Sequence, residues 1–164
     1  MTIKPELNDI CCPEFNPALW EGKTHQWENR LFVKDSIPAF LHMPIPGKIG
    51  KMMARMMNKI QEAGAEPAPE DFIILTKDCS LWRSDFYFGV TKTVPGAENT
   101  TISGTFISKV YDGPYHAIPK FMKQAKQDVE AQGHKVNDFY VFYTTCPKCA
   151  KKYGHNYMVV FAEV

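Results

Sequence analysis

The residues best suited to chemistry in this sequence are aromatic side chains that fall in or beside predicted strands. Aromatic faces with polar tips suit a flat or cationic organic molecule, through stacking and cation–π contact. The candidate ligand-binding residues are Trp82, Tyr87, Tyr115, Phe121, Tyr143 and Tyr157. Because aromatic residues recur at corresponding places in the two halves of the chain, the sequence predicts a small-molecule pocket where those halves meet.

One carboxylate is a candidate for acid–base chemistry from its position alone. Asp85 lies beside Trp82 at the predicted start of a strand, where partly apolar surroundings would raise its pKa. Hydrolysis would use such a carboxylate to activate water, with the hydroxyl of Tyr115 or Tyr143 as hydrogen-bond donor. A purely structural role for Asp85 is the alternative.

The cysteines offer a candidate metal site. Cys146 and Cys149 form a C-x-x-C pair between two predicted strands, and thiolates at such a hairpin tip can both bind one zinc ion. Cys11 and Cys12, or His155, would supply the remaining ligands. A structural zinc ion is therefore the one candidate cofactor, with unligated thiols and thiol–disulfide chemistry as alternatives.

Composition is that of one domain with a buried core, since 45% of the 164 residues are hydrophobic and 13% are aromatic. Nineteen Lys and Arg against eighteen Asp and Glu leave a net charge of +1, which gives no electrostatic support for a nucleic-acid or membrane partner. The N-terminus lacks the apolar region of a signal peptide, and no stretch approaches the roughly 18 apolar residues of a spanning helix. We expect a cytoplasmic protein.

The elements that would position these residues recur in two copies. Phe40-Leu41 precedes a Pro-Gly turn as Phe106-Ile107 precedes a Gly-Pro turn, and Asp71 to Leu75 corresponds to Asp138 to Phe142. This correspondence predicts two repeats, residues 31–94 and 101–164, within a single domain spanning 31–164. Residues 1–30 are predicted to form an N-terminal extension packed on that domain.

Hydrophobic periodicity gives the same order of elements in each copy. Apolar residues from Ile49 to Ala63 follow helical spacing and end at Gly64, and a second helix starts near Tyr115 and ends at Gly133. The predicted strands cover residues 37–43, 72–76, 86–91, 101–110, 139–144 and 157–164. The fold class is therefore α+β, a duplicated β-α-β-β unit forming an antiparallel sheet, with both helices on one face and a cleft between the repeats.

The sequence resembles the GyrI-like small-molecule-binding superfamily, the effector-binding domain that also occurs attached to AraC- and MerR-type regulators. The segments that carry this likeness are Gly104 to Tyr115 and Phe139 to Tyr143. A stand-alone bacterial subfamily often labelled "hydrolase" is similar in Cys12 to Pro17, Trp20, Trp27 and Tyr143 to Cys149.

The resemblance implies a duplicated unit, an aromatic cleft and binding of hydrophobic, often cationic compounds. Some members hydrolyse cyclopropane-containing toxins with an acidic residue in the last strand. The matching stretch here, Tyr157 to Ala162, is apolar and is followed by Glu163, which the resemblance makes a second candidate acid or base beside Asp85. We therefore expect a protein that binds a hydrophobic or aromatic small molecule, with a small-molecule hydrolase and a protein-binding inhibitor module as the alternatives.

Overall fold

A computed structural model describes residue 12 and residues 14–41, 43–145 and 147–164. The fold is α+β and mostly antiparallel sheet. Its elements, in chain order, are β1 (Lys23–Phe40), β2 (Met43–Pro44), α1 (Pro46–Glu62), β3 (Ile74–Ser80), β4 (Arg83–Gly89), β5 (Glu98–Asp112), α2 (Ile118–Ala131), β6 (Asp138–Tyr143), α3 (Pro147–Tyr153) and β7 (Tyr157–Glu163).

Six of these strands close into a barrel. The order around it is β1, β4, β3, β6, β7 and β5, and β5 pairs again with β1. Every pairing is antiparallel, and the short β2 pairs with the end of β1. Closure removes the sheet edges and gives the sheet an inner and an outer face.

Helices α1 and α2 cover the outer face. Arg55 of α1 donates to Asp35 of β1 at 2.5 Å, and Val129 of α2 packs with Ile107 of β5 and Ala162 of β7. Side chains in a strand alternate between faces, so the neighbours of these residues in sequence point the other way. A six-stranded barrel encloses only side chains, and a helix about 10 Å wide has to lie outside it. The inner face is therefore lined by strand residues.

Helices α1 and α2 correspond to the two predicted helices, with starts within about three residues of the predicted ones, and α3 has no predicted counterpart. Gly64, which follows α1, has φ +61°, a conformation that favours glycine. Pro119 lies in the first turn of α2, where its missing N–H costs no intrahelical bond. Among the described residues, no helix has both the length and the apolar character needed to cross a membrane.

Two local predictions differ from the structure. β1 begins at Lys23, so residues 23–30, predicted to belong to the extension, pair with β5. The hairpin tip predicted at the C-x-x-C pair is wrong for the described residues, because helix α3 begins at Pro147 and contains Cys149. Proline is favoured at the first helical position, which was the signal for this start.

Candidate functional site

Five aromatic side chains form a closed circuit on the inner face of the barrel. We call them the aromatic belt: Trp27, Phe32, Tyr87, Phe106 and Tyr140. Ring centroids are 4.7 Å apart for Trp27 and Phe106, and 5.9 Å for Phe106 and Tyr140. They are 5.8 Å apart for Tyr140 and Tyr87, 6.4 Å for Tyr87 and Phe32, and 6.0 Å for Phe32 and Trp27. These are the distances of interacting aromatic pairs.

Strand register explains why the belt forms. Leu75 of β3 lies opposite both Tyr87 and Phe142, so these residues share a face, and the two-residue period adds Tyr140. Phe32 and Phe106 are fully buried, whereas Trp27, Tyr87 and Tyr140 are only partly buried. The belt therefore has a buried floor and an edge that reaches solvent.

Beyond the floor, aromatic side chains fill the barrel. Trp20 packs against Phe142 and Phe161, each at 5.9 Å between ring centroids. His25 lies 5.5 Å from the Phe161 ring, and its Nε2 is 2.8 Å from the hydroxyl oxygen of Ser108. Burial, together with the charge of nearby Arg30, lowers the pKa of His25. This end of the barrel is packed core.

Asp85 is held by four groups beside the belt. Its carboxylate accepts hydrogen bonds from the Ser36 hydroxyl at 2.5 Å and from the Cys79 thiol at 2.9 Å. Lys34 and Arg83 lie 3.4 and 3.3 Å away, and the Asp85 residue is only 2% exposed. All five residues lie on β1, β3 or β4.

The predicted rise in the pKa of Asp85 is wrong. Burial does act to raise it, but the hydrogen bonds from Cys79 and Ser36, with the charges of Lys34 and Arg83, outweigh burial and lower the pKa. A carboxylate that stays ionised and saturated with donors holds neighbouring strands together and is poorly placed to act as an acid.

Two lysines lie over the tyrosines of the belt. Lys77 Nζ is 2.5 Å from Asp138 Oδ2 and 5.1 Å from the Tyr140 ring centroid, and Lys34 Nζ is 5.8 Å from that of Tyr87. The Asp138 hydrogen bond raises the pKa of Lys77, and burial raises the pKa of both tyrosines. Both phenols are therefore protonated at neutral pH and can donate to a ligand.

Arg30 and Glu163 face the belt and form no salt bridge among the described residues, although the charge of Asp71 acts on Arg30. Glu98, opposite Lys34 on the same face, forms no salt bridge there either. Glu163 of β7 lies opposite Asp138 and Phe106. Its Oε1 is 3.5 Å from the position that a Cβ on Gly104 would occupy. Because glycine has no side chain, there is room next to the Glu163 carboxylate. The last strand thus places a carboxylate on the face that carries Tyr140.

The structure does not gather the predicted ligand-binding residues into one group. Tyr87 lies in the belt. Tyr143 faces the opposite side of β6, where its ring lies 5.8 Å from that of Tyr115, whose hydroxyl donates to the Thr145 carbonyl at 3.0 Å. Burial raises the pKa of Tyr143 to about 12.

The other three predicted residues lie in separate environments. Trp82 is 60% exposed in the turn between β3 and β4, where it contacts Phe40. Phe121 of α2 stacks on Tyr111 at 4.7 Å. Tyr157 contacts the rings of Phe15 and His155. The functional candidates that sequence reasoning missed are Trp27, Arg30, Phe32, Phe106 and Tyr140.

Two of the four predicted metal ligands are described. Cys149 is buried in α3, and Tyr153, one turn later on the same helix face, donates to the Cys12 carbonyl at 2.8 Å. The segment at Cys12 therefore lies against the helix that carries Cys149. Cys11 and Cys146 lie outside the described residues, and among those described no three His, Cys, Asp or Glu side chains are grouped to hold a metal. Zinc stays a prediction.

Comparison with known proteins gives a family and a fold. A family model described as "Bacterial hydrolase" matches residues 3–164. The crystal structure of the EcmrR C-terminal domain is similar, with a TM-score of 0.64 and 12% identity over 88% of this chain and 97% of that one. The EcmrR–DNA complex gives the same TM-score and identity over 88% of this chain and 57% of that one. No curated protein sequence matches.

At 12% identity these structures show the fold alone, which agrees with the GyrI-like resemblance.

Proposed function

We propose that this chain, which belongs to the family described as "Bacterial hydrolase", binds a small organic molecule with an aromatic body at the solvent-facing edge of the aromatic belt. The observation that carries the proposal is the closed circuit of five rings, of which Trp27, Tyr87 and Tyr140 reach solvent. This edge takes the place of the cleft predicted between the two repeats.

The chemistry of the belt suits a flat ligand with polar substituents. A ligand ring can contact the solvent-facing edge of Trp27, whose ring face is covered by Arg30, while the hydroxyls of Tyr87 and Tyr140 donate hydrogen bonds. Asp85 and Asp138 already have cationic partners, so they stabilise the site rather than recognise a ligand. The similarity in fold to the EcmrR C-terminal domain supports a small-molecule-binding domain of this type.

The test is the affinity of belt variants for a neutral aromatic probe, 2-naphthylacetamide, measured by isothermal titration calorimetry. Trp27→Leu and Tyr140→Leu should each weaken binding about 2- to 13-fold, the equivalent of roughly 0.5–1.5 kcal/mol for one aromatic pair. Trp82→Leu is the control, because it removes an exposed aromatic ring outside the belt. Weaker binding in the control alone would contradict the proposal.

Hydrolysis of the bound molecule is the second candidate function. It is favoured by the family description and by Glu163, a carboxylate without an ion pair among the described residues, on the face that carries the Tyr140 phenol. With an ester, Glu163 would take a proton from water as the water oxygen bonds to the carbonyl carbon and the C=O π electrons move to the carbonyl oxygen. Tyr140 would donate a hydrogen bond to that oxyanion, and re-formation of the C=O bond would break the bond to the alcohol oxygen, which leaves with the proton returned by Glu163.

A panel of ester and strained-ring substrates tests this second function. Turnover should be lost in Glu163→Gln while binding of 2-naphthylacetamide is kept. Turnover that survives in Glu163→Gln would exclude Glu163 as the base, and its loss in an Asp85→Asn variant that circular dichroism shows to be folded would assign the chemistry to Asp85.

A further inference from the structure

A β-bulge in β1 turns Arg30 toward the belt. Trp27 lies opposite Gly104 and Arg30 lies opposite Ile102, so two residues of β1, Glu28 and Asn29, face one residue of β5. In a regular strand, residues three apart point to opposite faces. The extra residue restores Arg30 to the face of Trp27, and bulges at barrel rims commonly redirect a side chain in this way.

The bulge is held in a conformation that a non-glycine residue rarely adopts. Asn29 has φ +50°, and its N–H donates to the hydroxyl of Ser103 at 2.8 Å. Asparagine tolerates this region better than most residues, but it still costs conformational energy relative to a regular strand. The fold accepts this cost at the position that orients Arg30.

The Arg30 guanidinium lies on aromatic surface and lacks an acceptor. Its Cζ is 4.7 Å from the Trp27 ring centroid and 5.6 Å from that of Phe32. It has five N–H donors, yet within the described part of the chain no oxygen accepts from them, and Asp71, a carboxylate whose charge acts on Arg30, forms no salt bridge with it. Lys34 and Lys77, the other cations over the belt, both have carboxylate partners.

We infer that Arg30 binds an anionic group of the ligand, so that the belt selects aromatic carboxylates. This rests on the proposed binding function. A planar guanidinium matches the two oxygens of a carboxylate, and its place on Trp27 would put that group at the edge of a ring stacked on the belt. The partly buried setting strengthens such a pair relative to bulk water.

Three probes with one aromatic body test the inference. They are 2-naphthylacetate, its neutral amide 2-naphthylacetamide, and 2-(2-naphthyl)ethylammonium, titrated by calorimetry at low and high salt. The acetate should bind about 10- to 100-fold more tightly than the amide, the range for hydrogen bonds to charged groups, and the difference should shrink in high salt.

Two pairs of variants locate the preference. Arg30→Met keeps an unbranched apolar stem and should reduce the ratio of acetate affinity to amide affinity to about one, whereas Arg30→Lys should keep part of this preference. Asn29→Gly, which tolerates positive φ, should keep the preference, and Asn29→Val should reduce it by disturbing the bulge. Circular dichroism checks that each variant is folded.

The outcomes separate this inference from the binding proposal. Equal binding of acetate and amide by the unaltered protein overturns the role of Arg30 and leaves the belt as a binding site. Tighter binding of the ammonium probe overturns it as well and assigns recognition to Glu163. If none of the three naphthyl probes binds, the proposed function fails and the inference fails with it.

Discussion

Replacing Asp85 by asparagine should destabilise the fold strongly, because this carboxylate joins three strands. It accepts from Ser36 of β1 and Cys79 of β3, and it lies within 3.4 Å of Lys34 and Arg83. Asparagine keeps the shape of the side chain but loses the charge. Its amide N–H₂ also has to face groups that are themselves donors.

The size of the effect follows from these contacts. The bond from Ser36 to a charged acceptor contributes about 1.5–3 kcal/mol, and the weak thiol donor of Cys79 adds less. Lys34 is half-buried, so its ion pair adds only about 0–1 kcal/mol, and the pair with the exposed Arg83 adds little because solvent screens it. Asp85→Asn should therefore lower the free energy of unfolding by about 2–4 kcal/mol and Tm by about 5–15 °C.

Urea and thermal unfolding followed by circular dichroism provide the assay. Asp35→Asn is the matched control. Asp35 also lies on β1 and pairs with an arginine, Arg55, but on the more exposed outer face of the barrel, so this variant should lower the free energy of unfolding by less than about 1 kcal/mol. If Asp85→Asn is no more destabilising than Asp35→Asn, the structural role assigned to Asp85 is refuted.

The pH dependence gives a second check on Asp85. Its pKa is lowered in the folded state, so its contribution is fully present above the unfolded value of about 3.9 and is lost as the pH falls through the folded value. The unaltered protein should lose more stability between pH 5 and pH 3 than Asp85→Asn.

Three further predictions concern other parts of the molecule. The pKa of His25 is lowered on folding, so stability should be complete above about pH 6.5 and fall as the pH drops below it, and urea unfolding of His25→Gln should show a weaker decline. Protein purified without a His tag should contain about one equivalent of zinc by elemental analysis. The zinc content should be unchanged in Cys79→Ser and lost in Cys149→Ser. Less than about 0.2 equivalents in the unaltered protein would contradict the metal site. A Cβ on Gly89 would lie 2.7 Å from Ile73 Cγ2, so Gly89→Ala should cost about 1–3 kcal/mol in thermal unfolding, whereas Gly50→Ala, with nothing within 4 Å, should not destabilise the protein.

Local signals predicted α1, α2 and most of the strands, but not α3. Apolar spacing and Gly64 defined α1, and the aromatic runs defined β6 and β7 close to their observed bounds, whereas the predicted β3 (72–76) and β4 (86–91) overlap the observed strands only in part. β1 was predicted far too short, because residues 23–36 are mostly polar and lack the regular alternation of a strand. Their pairing with β5, some 80 residues later, comes from tertiary structure that short-range patterns do not contain.

The site was harder to predict because strand residues of similar type point to opposite faces. Tyr140 and Tyr143 lie in one aromatic run, and only the pairing with β3 and β7 shows that Tyr140 faces the belt. The sign of the Asp85 pKa shift depended on Ser36 and Lys34, which are distant in sequence. Arg30 lies on the face of the belt because of the bulge in β1, whereas the two-residue period of a regular strand would place it on the face opposite to Trp27.

Fluorine NMR of protein labelled with 3-fluorotyrosine tests the location of the binding site most directly. The chain has seven tyrosines, whose signals can be assigned by single Tyr→Phe variants. On titration with 2-naphthylacetate, the signals of Tyr87 and Tyr140 should shift, and those of Tyr115 and Tyr143 should stay in place. Shifts confined to Tyr115 and Tyr143 would show that the ligand binds elsewhere and that the aromatic belt is ordinary barrel packing.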